Sequence, residues 1–404
     1  KAGNLPFVVI FTGWRRRAKI APFHGGGGVT GILRVSISLV LVFFAVAAWD
    51  AAIVPSRAAG EAGPGSNAEQ GPFEQRNQFL FNLLFLEFPA RGGKILSRGE
   101  HQVLLSQTCS NTFTGSEIFF SDFTPLSDSR QRLTASILAA ALSARPGESL
   151  FFVDTEQGRT EIRWRAGIAP RIEAGVEVPF LSYRGGTFDG FIEGYHRTTG
   201  LADDGREIYV RDLTEIALTL EGDSFFAGQT PGLFQLGDVS LFGRYQAVRS
   251  ASLDMALSAA VKLPTGDPDR LGGSGGTDWG LEMEGTQRRG RHRLHFAAGW
   301  VRTGRWSLFP RFHPADTGNL LAAYEFVQGR RLSWLAQVQS RSTVFRGADG
   351  DLSQPGTELL GGLKWRARDD RWSFETAFIE SLFHQNNGVD IGLRAGVAFR
   401  VAPR

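Results

Sequence analysis

The chain has 404 residues, 21% of them charged and 42% hydrophobic, which excludes both a disordered chain and a bundle of membrane-spanning helices. Its 50 glycines, 32 phenylalanines and 9 tryptophans are typical of short twisted strands with aromatic girdles, whereas a single cysteine excludes an internal disulfide. A formal net charge of +3 is too small to predict a nucleic-acid partner.

The N-terminal part predicts an export signal. A basic stretch ending at Arg34 precedes an apolar run over residues 35–49, and the small residues Ala47 and Ala58 offer cleavage sites. This run is shorter than the roughly 20 residues that span a bilayer. We therefore predict a basic leader and a secretory signal over residues 1–59, with an uncleaved anchor as the alternative.

Residues 60–99 are predicted to lead into the folded part. Residues 60–71 are rich in Gly, Ala and Glu, which is typical of a flexible leader. Residues 72–95 are rich in Phe and Leu and predict either a periplasmic plug or an extra strand.

Period-two alternation predicts strands through most of residues 100–401. In the last one, Ile391, Leu393 and Val397 share one face, and Arg394 lies on the other. Short basic turns at one end and long polar loops at the other are typical of bacterial outer-membrane barrels. The predicted strands cover residues 100–112, 150–169, 171–184, 237–248, 251–264, 277–288, 291–302, 318–328, 331–345, 356–367, 371–382 and 389–401.

The sequence therefore predicts an all-β fold over residues 100–401, a closed antiparallel transmembrane barrel of about twelve strands, within ten to fourteen. One or two short helices are expected in loops or in a plug. Residues 126–145 look helical, with Ser127 or Asp128 as the cap. Residues 185–236 predict a long loop with a helix and a small hairpin.

The polar strand faces are predicted to line the lumen, and the apolar faces to meet lipid; a secreted β-sandwich is the soluble alternative. The lumen candidates carry both signs of charge and are expected to pair across it. They are Glu161, Arg163, Arg165, Glu173, Glu177, Arg244, Lys262, Glu282, Glu325, Arg341, Lys364, Arg366 and Arg394.

One helix is predicted near residues 185–196, where Asp189, Glu193 and His196 stand on one face. Two carboxylates and an imidazole suit a divalent metal, but two glycines weaken the helix, so an amphipathic helix that seals the barrel mouth is favoured. We expect no metal and no other cofactor. No Gly-x-Ser-x-Gly elbow accompanies His295 or His384, so no catalytic site is predicted and the chain is not expected to be an enzyme.

Several short motifs occur in order along the chain. They are Gly71-Pro72-Phe73, Arg76-Asn77-Gln78, Val178-Pro179-Phe180, Phe188 to Glu193 with His196, Gly237-Asp238 and Val261 to Gly266. From Gly71 onward the chain resembles a family of uncharacterised proteobacterial outer-membrane proteins, catalogued as a domain of unknown function. The resemblance implies an outer-membrane barrel and supplies no activity or ligand.

Three functions stay open at this stage. A passive channel or transporter for small solutes, of unknown identity, is preferred. A structural or adhesive surface barrel is the second, and a lumen filled by Arg–Glu pairs and a plug would favour it. A membrane-embedded hydrolase is the third. In each case we expect the bacterial outer membrane, its lipid and lipopolysaccharide, and the barrel assembly machinery as surroundings and partners.

Overall fold

The computed structural model describes residues 70–122, 130–186, 188–200, 205–228, 234–348, 350–382 and 387–401. The predicted export signal, the capping candidates Ser127 and Asp128, and His384 lie outside these residues.

Fifteen strands belong to one sheet. They are β1 (His101–Gly115), β2 (Phe151–Ala169), β3 (Ile172–Arg184), β4 (Glu215–Leu220), β5 (Asp223–Gly228), β6 (Gln235–Leu236), β7 (Ser240–Arg249), β8 (Leu253–Lys262), β9 (Asp278–Arg289), β10 (His292–Arg302), β11 (Thr317–Val327), β12 (Leu332–Arg341), β13 (Gly356–Arg366), β14 (Trp372–Ser381) and β15 (Ile391–Val401). Strand β1 pairs with β2 on one side and with β15 on the other, antiparallel in both cases. The sheet therefore closes on itself.

Setting aside β4, β5 and β6 leaves twelve strands in the barrel wall. The predicted closed twelve-stranded barrel is confirmed, and the strand bounds agree closely with those read from the period-two pattern. Strands β4 and β5 form the small hairpin expected within residues 185–236. Strand β4 pairs with the first residues of β2, at the end of β2 that lies beyond its pairing with β3.

Within the described ranges, three short helices lie outside the wall. They are α1 (Ile118–Ser121), α2 (Ala135–Ala144) and α3 (Asp189–Thr199), with 3-10 turns at Asn82–Leu84, Arg206–Ile208, Pro268–Arg270 and Gly350–Ser353. The predicted helix over residues 126–145 was too long, because α2 begins after Thr134, whose hydroxyl accepts a hydrogen bond from the Ile137 amide at 3.2 Å. No helix within the described residues is long and apolar enough to cross a bilayer.

The outer face of the barrel is apolar. Leu257, Leu281 and Leu320 are each more than half exposed, and so are not part of a packed core. Rings gather near the strand ends, with Trp279 and Trp300 at one end and other pairs at the opposite end. Apolar residues outside and charged residues inside reverse the order of a soluble protein, so the sandwich alternative is wrong.

The two ends of the barrel differ. Turns of a few residues join β2 to β3 and β9 to β10, whereas long loops join β1 to β2 and β3 to β7. In outer-membrane barrels the short turns face the periplasm and the long loops the exterior. Closed barrels with an apolar belt are the β-structures that span this membrane, and the chain is located there.

Candidate functional site

The lumen contains residues 70–100, which we call the plug. Apart from the 3-10 turn at Asn82–Leu84 and an isolated bridge at Arg98, the plug has no regular secondary structure. Its hydrogen bonds and ion pairs reach the inward side of β1, β2, β3, β7, β9, β11, β12, β13 and β15. A single segment can contact strands all around a closed barrel only from inside it.

The rising arm of the plug runs from the periplasmic end toward the exterior. The Phe73 amide donates to the Gln337 side chain at 2.9 Å, and the Gln78 amide donates to the Glu358 carboxylate at 2.7 Å. These backbone groups have no strand partner, so the wall side chains satisfy them.

The tip of the plug closes the outer end of the lumen with aromatic rings. Phe81 and Phe85 have ring centroids 6.1 Å and 5.7 Å from that of Trp306, which is fully buried. Phe345, from the loop after β12, lies 5.9 Å from Phe81. Edge-on and tilted ring pairs at these distances are attractive, and their burial excludes water.

The descending arm returns to the periplasmic end. The Leu86 amide donates to Asp278 at the exterior end of β9, at 2.7 Å. The Leu96 amide donates to Glu173 at the periplasmic end of β3, also at 2.7 Å. The plug is therefore a U-shaped segment whose two ends lie on the periplasmic side.

The predicted lumen residues can now be placed. Glu161, Arg163, Glu173, Glu177, Arg244, Lys262, Glu282, Glu325, Arg341, Lys364 and Arg394 are buried, whereas Arg165 and Arg366 are half-buried near the periplasmic mouth. Most of them contact the plug or one another.

Glu177 is the centre of the largest ionic network. Its carboxylate lies 2.7 Å from Arg76 of the plug, 2.8 Å from Arg159 and 2.9 Å from Arg163. Arg163 also pairs with Glu74 of the plug. Buried charges require such matched partners, and here plug and wall supply them to each other.

The same network continues along β2, β3, β7 and β9. Arg165 lies 3.2 Å from Glu74, and Arg244 lies 3.1 Å from Glu173 and pairs with Glu284. The guanidinium of Arg244 also donates to the backbone carbonyl of Gly92 at 2.5 Å. Arg244 therefore holds the descending arm directly.

Smaller clusters of paired charged side chains line the rest of the wall. Lys364 lies 2.9 Å from Glu375 and donates to the Pro72 carbonyl at 2.6 Å, and Arg394 lies 2.7 Å from Glu375. Other pairs include Arg341 with Glu87 at 3.2 Å, Lys262 with Asp278 at 3.5 Å and Glu282 with Asn319 at 2.7 Å.

A buried relay connects both arms of the plug. The Gln70 amide donates to Glu325 at 3.0 Å, and the Gly93 amide donates to Thr286 at 3.0 Å. Between them His295 lies 2.9 Å from Thr286 and 3.0 Å from Glu325. An ionised Glu325 only accepts hydrogen bonds, so the proton on the imidazole is assigned to Nε2.

This hydroxyl, imidazole and carboxylate are the groups that a hydrolase would use, but they are enclosed. Thr286, His295 and Glu325 are fully buried, and a Cβ added at Gly92 of the plug would lie 2.9 Å from the Thr286 hydroxyl. The plug backbone occupies the position that a substrate would need.

The loop-helix residues lie on α3, at the outer end of the barrel. Glu193 lies 2.9 Å from Arg130 and also pairs with Arg211, and these hydrogen bonds lower its pKa to about 2. Asp189 pairs with Arg206. The ring of His196 lies 6.0 Å from that of the neighbouring Tyr195, with the two planes tilted by 53°.

Metal-ligating residues do not converge on α3. Across the described ranges, no group of His, Cys, Asp and Glu has the geometry to hold a metal ion. Arginines neutralise both α3 carboxylates, so ion pairs hold the helix at the outer end of the barrel, and its sealing of the mouth stays a prediction.

Sequence reasoning missed several residues that the site uses. Glu284 and Arg159 have the same strand parity as Glu282 and Glu161, so alternation alone identifies them as inward-facing. Thr286 has this parity too, but an uncharged residue was not sought as a lumen candidate. The plug charges carried no such signal, because the plug is not a strand.

The model of the family described as "Protein of unknown function (DUF3187)" matches residues 124–401. The chain belongs to this family. The match confirms the resemblance noted above, although it begins at residue 124 and so excludes the plug. No curated protein matches the chain.

Several solved structures similar to this DUF3187 chain are described as channels. The COG4313 outer membrane channel from Pseudomonas putida F1 is 10% identical, with 78% of this chain and 100% of that chain covered and a TM-score of 0.48. The CymD monoaromatic hydrocarbon channel is 9% identical (76% and 90% covered, TM-score 0.33). The channel DcaP of Acinetobacter baumannii is 6% identical (75% and 96% covered, TM-score 0.29). None of these similarities assigns a solute to this chain.

Proposed function

We propose that this protein is an outer-membrane channel for small polar solutes and that the plug closes it from within. The observation that supports this most is that one continuous segment fills a lumen whose wall is polar along its length. About eight strands give a barrel that side chains alone fill, whereas twelve leave additional space. Displacing the plug would therefore leave a water-filled pore lined by charges of both signs.

The form of the plug supports displacement as one unit. Its backbone bonds mostly to wall side chains, such as Gln337, Glu358 and Arg244, and forms no ladder with a barrel strand beyond one bridge at Arg98. Exchanging these bonds for bonds to water costs less than opening a sheet, because each net hydrogen bond contributes only about 1 kcal/mol.

Single-channel recording in planar bilayers tests the proposal. The full chain is expected to be closed for most of the recording, and a variant lacking residues 70–97 is expected to give steady, ohmic current. The heat-dependent gel mobility of both proteins shows whether each barrel is folded.

A structural surface barrel with a permanently shut lumen is the second candidate. The Arg–Glu network around Glu177 and the aromatic tip around Trp306 favour it, because the buried charges of the network are paired with one another and the rings of the tip pack together away from water. It would replace the channel if the full chain never opened in these recordings at any applied voltage, whether or not the deletion variant conducted.

A further inference from the structure

A cavity of about 440 Å³ lies at the periplasmic mouth of the barrel, between the plug and the ends of β2, β13 and β15. We propose that it binds a small multivalent oxyanion, a carboxylate or phosphate compound, through Arg400 with Arg165 and Arg366. Binding there does not require that the lumen conduct, so the inference stands apart from the channel proposal.

Basic residues outnumber acidic residues in the lining of this cavity, seven to five. Arg165 comes from β2, Arg366 from β13 and Arg400 from β15, and Lys94 of the plug lines the same space. The positive charges of Arg165 and Arg366 lie close enough to repel the positive charge of Arg400.

Most of the carboxylates that line the same cavity already have partners, some of them among its basic residues. Glu74 lies 3.2 Å from Arg165 and also pairs with Arg163, and Glu375 lies 2.9 Å from Lys364. Glu100 accepts a hydrogen bond of 2.7 Å from the Ser97 amide. Asp369 and Asp370 belong to the exposed turn at the rim.

Arg400 differs from the other arginines of the lumen. Its backbone amide donates to the Arg371 carbonyl at 2.8 Å, but its guanidinium forms no hydrogen bond or ion pair with any residue in the described ranges. The carboxylates of Glu100 and Glu173 attract its positive charge, but neither lies within ion-pair distance of it. The guanidinium is half-buried and faces the cavity.

An anion would complete this arrangement. Like charges repel more strongly in a partly enclosed space than in bulk water, and a bound anion relieves that repulsion. The planar guanidinium donates two parallel hydrogen bonds to a carboxylate or phosphate, which favours these groups over a halide. The volume lies within the range of about 300–1,000 Å³ that is typical of small-ligand sites.

The test is calorimetric titration of citrate and of pyrophosphate into the full, detergent-solubilised protein at low ionic strength. We expect saturable binding of at least one probe, at least tenfold weaker in Arg400→Gln. The matched control is Arg330→Gln, which removes a positive charge from an exposed periplasmic turn outside the cavity and is expected to leave binding unchanged.

A second variant guards against a folding defect in Arg400→Gln. Ser373→Glu places a carboxylate on the cavity wall, opposite Ala398 in the β14–β15 ladder, and is expected to abolish binding by occupying the site from within. Saturable binding to neither probe would overturn the proposal, as would equal affinity in Arg400→Gln and Arg330→Gln.

Discussion

Replacing Glu177 by Gln removes the shared counter-ion of three guanidinium groups. One carboxylate oxygen lies 2.7 Å from Arg76 and 2.8 Å from Arg159, and the other lies 2.9 Å from Arg163. Glutamine has nearly the same shape, so the substitution creates no cavity. Its amide nitrogen would instead direct hydrogen-bond donors at guanidinium donors.

The expected loss follows from the burial of the whole group. Glu177 and Arg163 are each 1% exposed, and removing one partner of a buried ion pair costs about 3–5 kcal/mol. Glu161 and Glu74 still neutralise Arg159 and Arg163 in part. We therefore expect the lower end, a decrease of about 3 kcal/mol in the free energy of unfolding.

Urea unfolding in lipid vesicles, followed by tryptophan fluorescence, measures this change. Glu148→Gln is the control, because that side chain is 46% exposed and lies 3.9 Å from its partner Arg145, so a change below about 0.5 kcal/mol is expected. A second substitution, Arg76→Met, should recover part of the loss in the Glu177→Gln background. A loss under about 1 kcal/mol in Glu177→Gln would refute the reasoning.

Three further predictions concern the plug and the outer helix. Glu325→Gln weakens the relay that fastens both arms, and we expect faster hydrogen exchange in the plug amides while the strand amides keep their protection. In Gly93→Ala the new Cβ would lie 2.2 Å from a backbone carbonyl oxygen of the wall, so we expect the plug to shift and the barrel to leak current in planar bilayers. The control is Gly361→Ala, which has open space around its Cβ and should not leak. Because two arginines lower the pKa of Glu193 from 4.5 to about 2, its contribution to fastening α3 is complete above about pH 4.5 and disappears as the pH falls through 2. Limited proteolysis at α3 should follow that pH window, and Glu193→Gln should be readily cleaved at every pH.

The wall of the barrel was predictable because its rule is local. Alternation of residues such as Leu393 and Arg394 assigns each side chain to lipid or lumen without knowledge of any other strand. The same rule identifies inward charges, but it does not pair them, because pairing depends on register and on the plug.

The plug was not predictable in the same way. Residues 79–86 form an apolar run whose partners, Trp306 and Phe345, come from loops more than 200 residues later in the chain. An apolar run of that length fits a strand, a core segment or a plug equally well. The relay through His295 depends on contacts with the plug and was therefore missed as well.

The course of the plug through the lumen can be tested by cross-linking its tip to the outer loop. Phe81→Cys and Phe345→Cys, in a Cys109→Ser background, place two thiols where the ring centroids are 5.9 Å apart. This position lies at the exterior end of the barrel, whereas both ends of the plug lie at the periplasmic end. A short bifunctional thiol reagent followed by proteolysis and mass spectrometry should give one linked peptide that contains both positions. Recovery of the two peptides unlinked, from protein whose gel mobility still shifts on heating, would contradict a plug that crosses the barrel.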